Sequence, residues 1–367
     1  MDIKNHKEVL VVGSGDQRNL KTWSGTSNRL VTLFEANGVK VDDYNIMSPI
    51  VGFRKQLLRI LHKLIYFRTY ARSPFMFSAC SNSLENKIDI SGIQNLLFIA
   101  ENIEVRNTEV NVSIYIDAAL RPLTQYGTYH DQTKKIGFGW FLRAYEKNDI
   151  KSYKRANHIF TQNEWTRQFL INEYGIDSKK IINVGFGVNL VPFNGNKDYN
   201  NNLLLIVLRK GVEKLKGLYL LIDAFRILRK KGVDVKLAVV GADGPEEDGV
   251  TYYYNQPRSV TVELFQQCTL YTMPALSEPN GVTYLEGLAN KAPIVGLNRF
   301  AFPEFAGNGE YGFICKNEDP EELASVIENA LSDKTRLKEM GEKGQSYVVD
   351  RFDWNKVVAT IIKEGGF

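Results

Sequence analysis

The sequence predicts an α/β protein of two doubly wound domains, and three observations carry that reading. The chain has 367 residues, a length that suits two cores better than one. Short β-branched and aliphatic runs alternate with stretches of helical periodicity in both halves, the pattern of parallel sheets with helices on both faces. Between the halves lies FNGNKDYNNN, residues 193–202, rich in Asn and Gly and poor in apolar side chains. That composition reads as a linker. The boundaries implied are a first domain over 1–195, a second over 196–350, and a final segment over 351–367.

In the first half the strand candidates are EVLVV, VKVDDY, NLLFIA, VNVSIYI, HIFTQ and KIINVG. Leu30, Leu33 and Phe34 mark a helix that stops at Gly38, and Asn163 in TQNEW is placed to cap another. The second half repeats the alternation with LLLIVL, a helix in GLYLLIDAFRILRKKG, and VKLAVVGADG. LYTMPA, PIVGL and GFICK follow, with amphipathic helices over 320–331 and about 335–349.

Composition narrows the function classes. The formal charge of +4 does not by itself imply nucleic acid, and none is expected as a partner. Cys80, Cys268 and Cys315 are scattered, giving neither a disulfide framework nor a zinc pattern. The start, MDIKNHKEVLVVGSG, contains no signal-peptide h-region, and no apolar run approaches the length of a spanning helix. A reducing, cytoplasmic setting is the expectation.

The densest chemistry lies in PALSEPNGVTYLEGLANKAPIVG, residues 274–296. A strand ends near Pro274, a loop carries Glu278, and a helix opens near Asn280–Val282 with Glu286 inside it. Doubly wound sheets bind ligands beyond the carboxyl ends of their strands. A helix opening there offers free N–H groups to an anion. A pyrophosphate would sit over the amides of Gly281 and Val282, beside Asn280, with close approach allowed by the missing side chain at Gly281. Glu278 could accept from sugar hydroxyls and Glu286 from the two hydroxyls of a ribose. Both acids could instead be solvated surface groups.

Glu278-x7-Glu286, the small-residue helix and the Pro-Ile-Val strand resemble the signature of glycosyltransferase family 4. The resemblance extends over 203–350 and implies a retaining enzyme of GT-B fold, two Rossmann-like domains facing each other across a cleft. The final segment, RFDWNKVVATIIKEG, would cross back onto the first domain. A diphosphate clamp is implied at Arg209 and Lys216, two cations on a leaving group whose charge grows in the transition state. Leu208 stands where the family has glycine, so Lys210 competes with Arg209, and Lys214 competes with Lys216.

In the first domain, Gly13-x-Gly15 invites a nicotinamide reading, but Arg18 occupies the third glycine position and the next helix starts only after Gly25. The long loop resembles the family's cleft-facing segment, in which Gly15 and Gly25 let the backbone approach donor and acceptor. Asp117 follows a strand end where relatives carry a His-Asp or His-Thr pair; Ile116 replaces the histidine, and His130 could supply that contact or be structural.

The stretch between Val51 and Phe75 contains no acid. Lys55, Arg59 and Lys63 recur along one helical face opposite Leu57, Leu58, Leu61, Leu64 and Ile65. A basic amphipathic segment over 53–72 suits an anionic membrane surface, or is a solvated face over a packed helix.

The implied activity is transfer of a sugar from a UDP- or GDP-sugar to a glycan or lipid-linked acceptor, in bacterial-type surface polysaccharide or glycolipid synthesis. The chain has no Asp-x-Asp motif, so no divalent metal and no cofactor is expected. The alternative is a nucleotide-sugar-binding partner subunit without transfer activity.

Overall fold

The computed structural model describes residues 8–20, 22–47, 60, 74–100, 103–126, 138–189 and 191–367. They form two compact units. The first runs to Phe186 and takes back Trp354–Phe367; the second is Gly187–Asp353.

The first unit contains β1 (Glu8–Gly13), β2 (Lys40–Asn45), β3 (Asn95–Ile99), β4 (Asn111–Ile116), β5 (His158–Thr161) and β6 (Ile181–Asn183). They lie in the order β2-β1-β3-β4-β5-β6, every neighbouring pair parallel. Val9, Leu10, Val11 and Val12 of β1 are all buried, as a central strand covered on both faces requires. The helices are α1 (Thr26–Ala36), α2 (Pro74–Ser91), α3 (Leu120–Tyr126), α4 (Phe138–Arg155) and α5 (Glu164–Tyr174). Asn163 caps α5 by accepting from the Thr166 amide, and Gly175 ends it with φ of 62°.

The second unit contains β7 (Leu203–Val207), β8 (Lys236–Val240), β9 (Val250–Tyr253), β10 (Leu270–Thr272), β11 (Ile294–Leu297) and β12 (Gly312–Cys315). Their order is β12-β11-β10-β7-β8-β9, again all parallel. The chain builds outward from β7 to β9, then returns beside β7 and builds the other way. The winding therefore reverses between β7 and β10, which is where such sheets open a crevice. The helices are α6 (Leu218–Lys230), α7 (Arg258–Gln267), α8 (Val282–Ala289), α9 (Phe302–Phe305), α10 (Pro320–Ser332) and α11 (Lys334–Arg351). Leu218, Leu221, Ile222, Phe225 and Leu228 of α6 share one buried face. Each such side chain contributes roughly 1.5–3 kcal/mol on burial.

The last helix, α12 (Trp354–Gly365), belongs to the first unit. Asn111 Nδ2 donates to the Gly365 carbonyl at 2.7 Å, and the Phe34 and Phe367 rings lie 5.7 Å apart. The Asn-rich stretch read as a linker is packed onto the second unit. Lys197 Nζ donates to the carbonyls of Phe265 and Gln266, Tyr199 Oη to that of Lys291, and Asn201 Nδ2 to that of Gln267. Its polar side chains close the end of α7, a use of Asn and Lys that composition does not distinguish from solvation.

Candidate functional site

Two glycines force the strand ends of the second unit together. Gly241 follows β8 with φ of +89°, and a Cβ there would stand 1.8 Å from the Leu208 carbonyl oxygen. Gly217 precedes α6 with φ of +76°, and its Cβ would lie 2.0 Å from the Pro274 carbonyl oxygen. Backbone thus meets backbone, between β7 and β8 at Gly241 and across the reversal point at Gly217, which no other residue type permits. The amides of Leu276 and Ser277 both donate to the Leu215 carbonyl, at 2.9 and 3.2 Å.

This contact seats Lys216 against Glu278. Lys216 Nζ donates to Glu278 Oε2, while Glu278 Oε1 accepts from the amides of Gly281 at 2.9 Å and Asn280 at 3.3 Å. The Gly281 amide, expected to face a pyrophosphate, is therefore engaged by the loop's own carboxylate. Gly281 adopts φ of 60° at the opening of α8, and Val282 begins the helix half-buried. Tyr284 Oη donates to the Met273 carbonyl at 2.5 Å and Tyr271 Oη to Thr283 Oγ1 at 2.7 Å, fixing α8 to β10.

Burial, reinforced by the neighbouring Arg209 guanidinium, brings the Lys216 ammonium down to about 8. The charge of Arg209 thus acts on Lys216. Lys210 is committed elsewhere: its Nζ lies 3.1 Å from Asp243 and 4.7 Å above the Tyr254 ring. Lys214 is exposed. The structure therefore groups Arg209, Lys216 and Glu278.

Glu286 is buried inside α8, and its Oε1 lies 2.8 Å from Arg258 Nη2 at the start of α7. Burial pushes its carboxyl above the ordinary range, against the pull of Arg258. Sequence reading missed Arg258. It stands 28 residues from Glu286, and the strand β9 just before it is a half-exposed edge without an apolar run.

In the first unit, Ile116 is buried and Asp117 is half-buried beyond the end of β4. The Asp117 carbonyl accepts from Thr166 Oγ1 at 2.7 Å and Asn163 Nδ2 at 3.4 Å. The Gly15 amide donates to Asn45 Oδ1 at 3.0 Å. Gly15 and Gly25 take φ of +88° and +86°, and Gly25 caps the start of α1. His130 and, apart from Ile60, the basic segment 53–72 lie outside the described residues. Among those described, no helix is long and apolar enough to cross a membrane.

Residues 192–347 match the family model for glycosyl transferases group 1. The match lies within the second unit. It is 26% identical over 152 residues to the capsular polysaccharide biosynthesis glycosyltransferase CapM of Staphylococcus aureus, covering 38% of this chain and 40% of CapM. The chain spans between 36% and 63% of the length of the curated relatives it matches. Among solved structures, a glycosyltransferase from Rickettsia africae ESF-5 superposes with a TM-score of 0.66 at 15% identity, covering 98% of both chains. Anabaena Alr3699/HepE, in complex with UDP and glucose, gives a TM-score of 0.61 at 14% identity over 98% of this chain and 99% of that one. The two doubly wound units are those of the GT-B fold. Lys216, Glu278 and Glu286 all lie inside the matched residues.

Proposed function

We propose that this chain is a retaining glycosyltransferase of family 4 that moves a sugar from a UDP- or GDP-sugar to a glycan or lipid-linked acceptor. The observation that carries this reading is the pairing of Lys216 with Glu278, beside Arg209, at the reversal point of the second sheet. The match of residues 192–347 to the group 1 model and the capsular polysaccharide role in CapM's name support a place in surface polysaccharide or glycolipid synthesis.

Each residue then has a task. Arg209 and Lys216 hold the diphosphate, where preorganised cations stabilise charge that grows as the leaving group departs. The amides opening α8, Val282 foremost, add the positive end of the helix. Diphosphate taking over Lys216 leaves Glu278 to orient sugar hydroxyls, and Glu286 receives the ribose. Asp117 lies near the transferred sugar, while the backbone at Gly15 approaches the donor and that at Gly25 the acceptor. The bond from the anomeric carbon to the diphosphate breaks as the acceptor oxygen bonds on the same face. The acceptor proton passes to the departing β-phosphate oxygen. The clamp cations are the protein's own, so the transfer requires no divalent metal. The acid-free run 53–72 brings the chain to anionic membrane on the cytoplasmic side, where a lipid-linked acceptor is found.

The test is donor-dependent release of nucleoside diphosphate across a panel of UDP- and GDP-sugars, followed by NMR of the product's anomeric proton. The expected result is release with an unchanged anomeric configuration in the presence of EDTA. An inverted product, or no release with any donor, overturns the proposal.

A further inference from the structure

Glu286 is 5% exposed, and an isolated carboxylate at that depth costs several kcal/mol unless a charge compensates it. The compensating group comes from another helix. Arg258, the first residue of α7, places Nη2 2.8 Å from Glu286 Oε1. Its side chain is 60% exposed while that of Glu286 is 7% exposed, so the guanidinium reaches inward from the surface to meet the acid.

Among the described residues, Arg258 is the charged group found to act on Glu286. Tyr271 of β10 is neutral and donates its hydroxyl to Thr283, and the Asn290 side chain donates to the backbone carbonyl of Glu286. Arg258 therefore fixes one carboxylate oxygen and leaves the other as the acceptor for a ligand.

We propose that Arg258 is a positioning residue for nucleotide recognition, holding Glu286 charged and in one orientation for the ribose hydroxyls of the donor. This rests on the reading of Glu286 as the ribose acceptor. Arg258 acts through Glu286 and touches no part of the nucleotide.

The consequence is a pH signature. Burial already favours the protonated acid, and Arg258 opposes it. Without the guanidinium, Glu286 keeps its proton to higher pH and loses acceptor capacity at the acidic end. A residue that merely supported the fold would not move the pH dependence.

The experiment is calorimetric titration of the intact protein with UDP and GDP, continued with whichever binds more tightly. Measurements at about pH 5.5 and about pH 7 stay a full unit below the value of about 8 for Lys216, so the clamp remains largely charged in both. Arg258→Ala should raise Kd about tenfold at the lower pH, with the gap to wild type narrowing at the higher one. Arg258→Lys should recover most of the loss, and Arg258→Gln, which keeps the stem, should behave as the Ala variant if its melting temperature is unchanged. On a Glu286→Gln background, removing Arg258 should cost nothing further. If Glu286→Ala weakens binding but Arg258→Ala binds as wild type at both pH values, Arg258 has no such role and the site stands. A loss equal at both pH values that persists on the Gln background makes Arg258 a direct ligand and overturns the positioning role. If neither Glu286→Ala nor Arg258→Ala changes Kd, the ribose reading itself fails.

Discussion

The two sheets are built alike, six parallel strands each, yet their carboxyl edges carry different things. In the second unit, charge converges at the reversal point, with Lys216 paired to Glu278, Arg209 beside them and Glu286 held by Arg258. In the first unit, the reversal falls between β1 and β3, and the loop after β1 is held by the Gly15 amide on Asn45 and by half-exposed ion pairs of Arg18 with Glu35 and Asp43. Backbone fit differs in the same direction. A Cβ at Gly217 or Gly241 would strike backbone, whereas at Gly15 the nearest atom would be 3.8 Å away. One edge is a fixed charge array and the other a permissive frame. A donor with a constant diphosphate suits the former, and varied acceptors suit the latter.

The sharpest way to break this comparison is to remove the array's cations. Arg209→Ala or Lys216→Ala should slow sugar transfer roughly 100-fold or more, the loss typical of one transition-state donor. Lys210→Ala should retain most activity, because its ammonium is committed to Asp243. An inactive Lys210 variant beside an active Arg209 variant would reverse the assignment.

Backbone fit is tested by paired substitutions. Gly217→Ala combines a positive φ with a collision against Pro274 and should destabilise the protein by about 3 kcal/mol or more. Gly15→Ala has the φ penalty alone and should cost about 1 kcal/mol. Urea denaturation measures both, and equal losses would remove the distinction between a fixed and a permissive edge.

The pH profile is a gentler probe. Lys216 is charged below about 8 and neutral above it. Donor kcat/KM should therefore hold steady below that value and fall as pH rises through it, by up to about tenfold per unit. Lys216→Arg, which stays charged, should abolish the decline whatever it does to the rate. A decline that survives in the Arg variant assigns it to another group.

How much of this was legible follows the same division. Most strands announce themselves because a parallel strand covered on both faces must be apolar along its length, as LLLIVL and EVLVV are. The Glu278 and Glu286 pair was legible because both acids lie in one loop-helix unit of fixed spacing. The pairing of Glu278 with Lys216, a residue named only through the resemblance, and that of Glu286 with Arg258 were not. Lys216 is 62 residues from Glu278, and only the close approach at Gly217 joins them. Arg258 follows β9, an edge strand whose Tyr-rich sequence lacks the apolar run of a central one. The Asn-rich stretch 193–202 reads as a linker because side chains that hydrogen-bond to backbone carbonyls have the composition of side chains that bond to water.

The smallest effect is expected in the first unit. Asp117 stands just beyond β4, its backbone pinned by Thr166 and Asn163 at the start of α5, so substitution should leave the strand end in place. If the carboxylate contacts acceptor or transferred sugar, Asp117→Asn removes one hydrogen bond to a charged group and should lower kcat by about tenfold. The donor's nucleotide is assigned wholly to the second unit. UDP and GDP affinity in the Asn variant should therefore stay within about twofold of wild type, well below the loss expected from a hydrogen bond to charge. Calorimetry alongside initial rates separates the two effects. A weakened nucleotide Kd with unchanged kcat would move donor recognition onto the β4 edge, and the division between charge array and permissive frame would no longer hold.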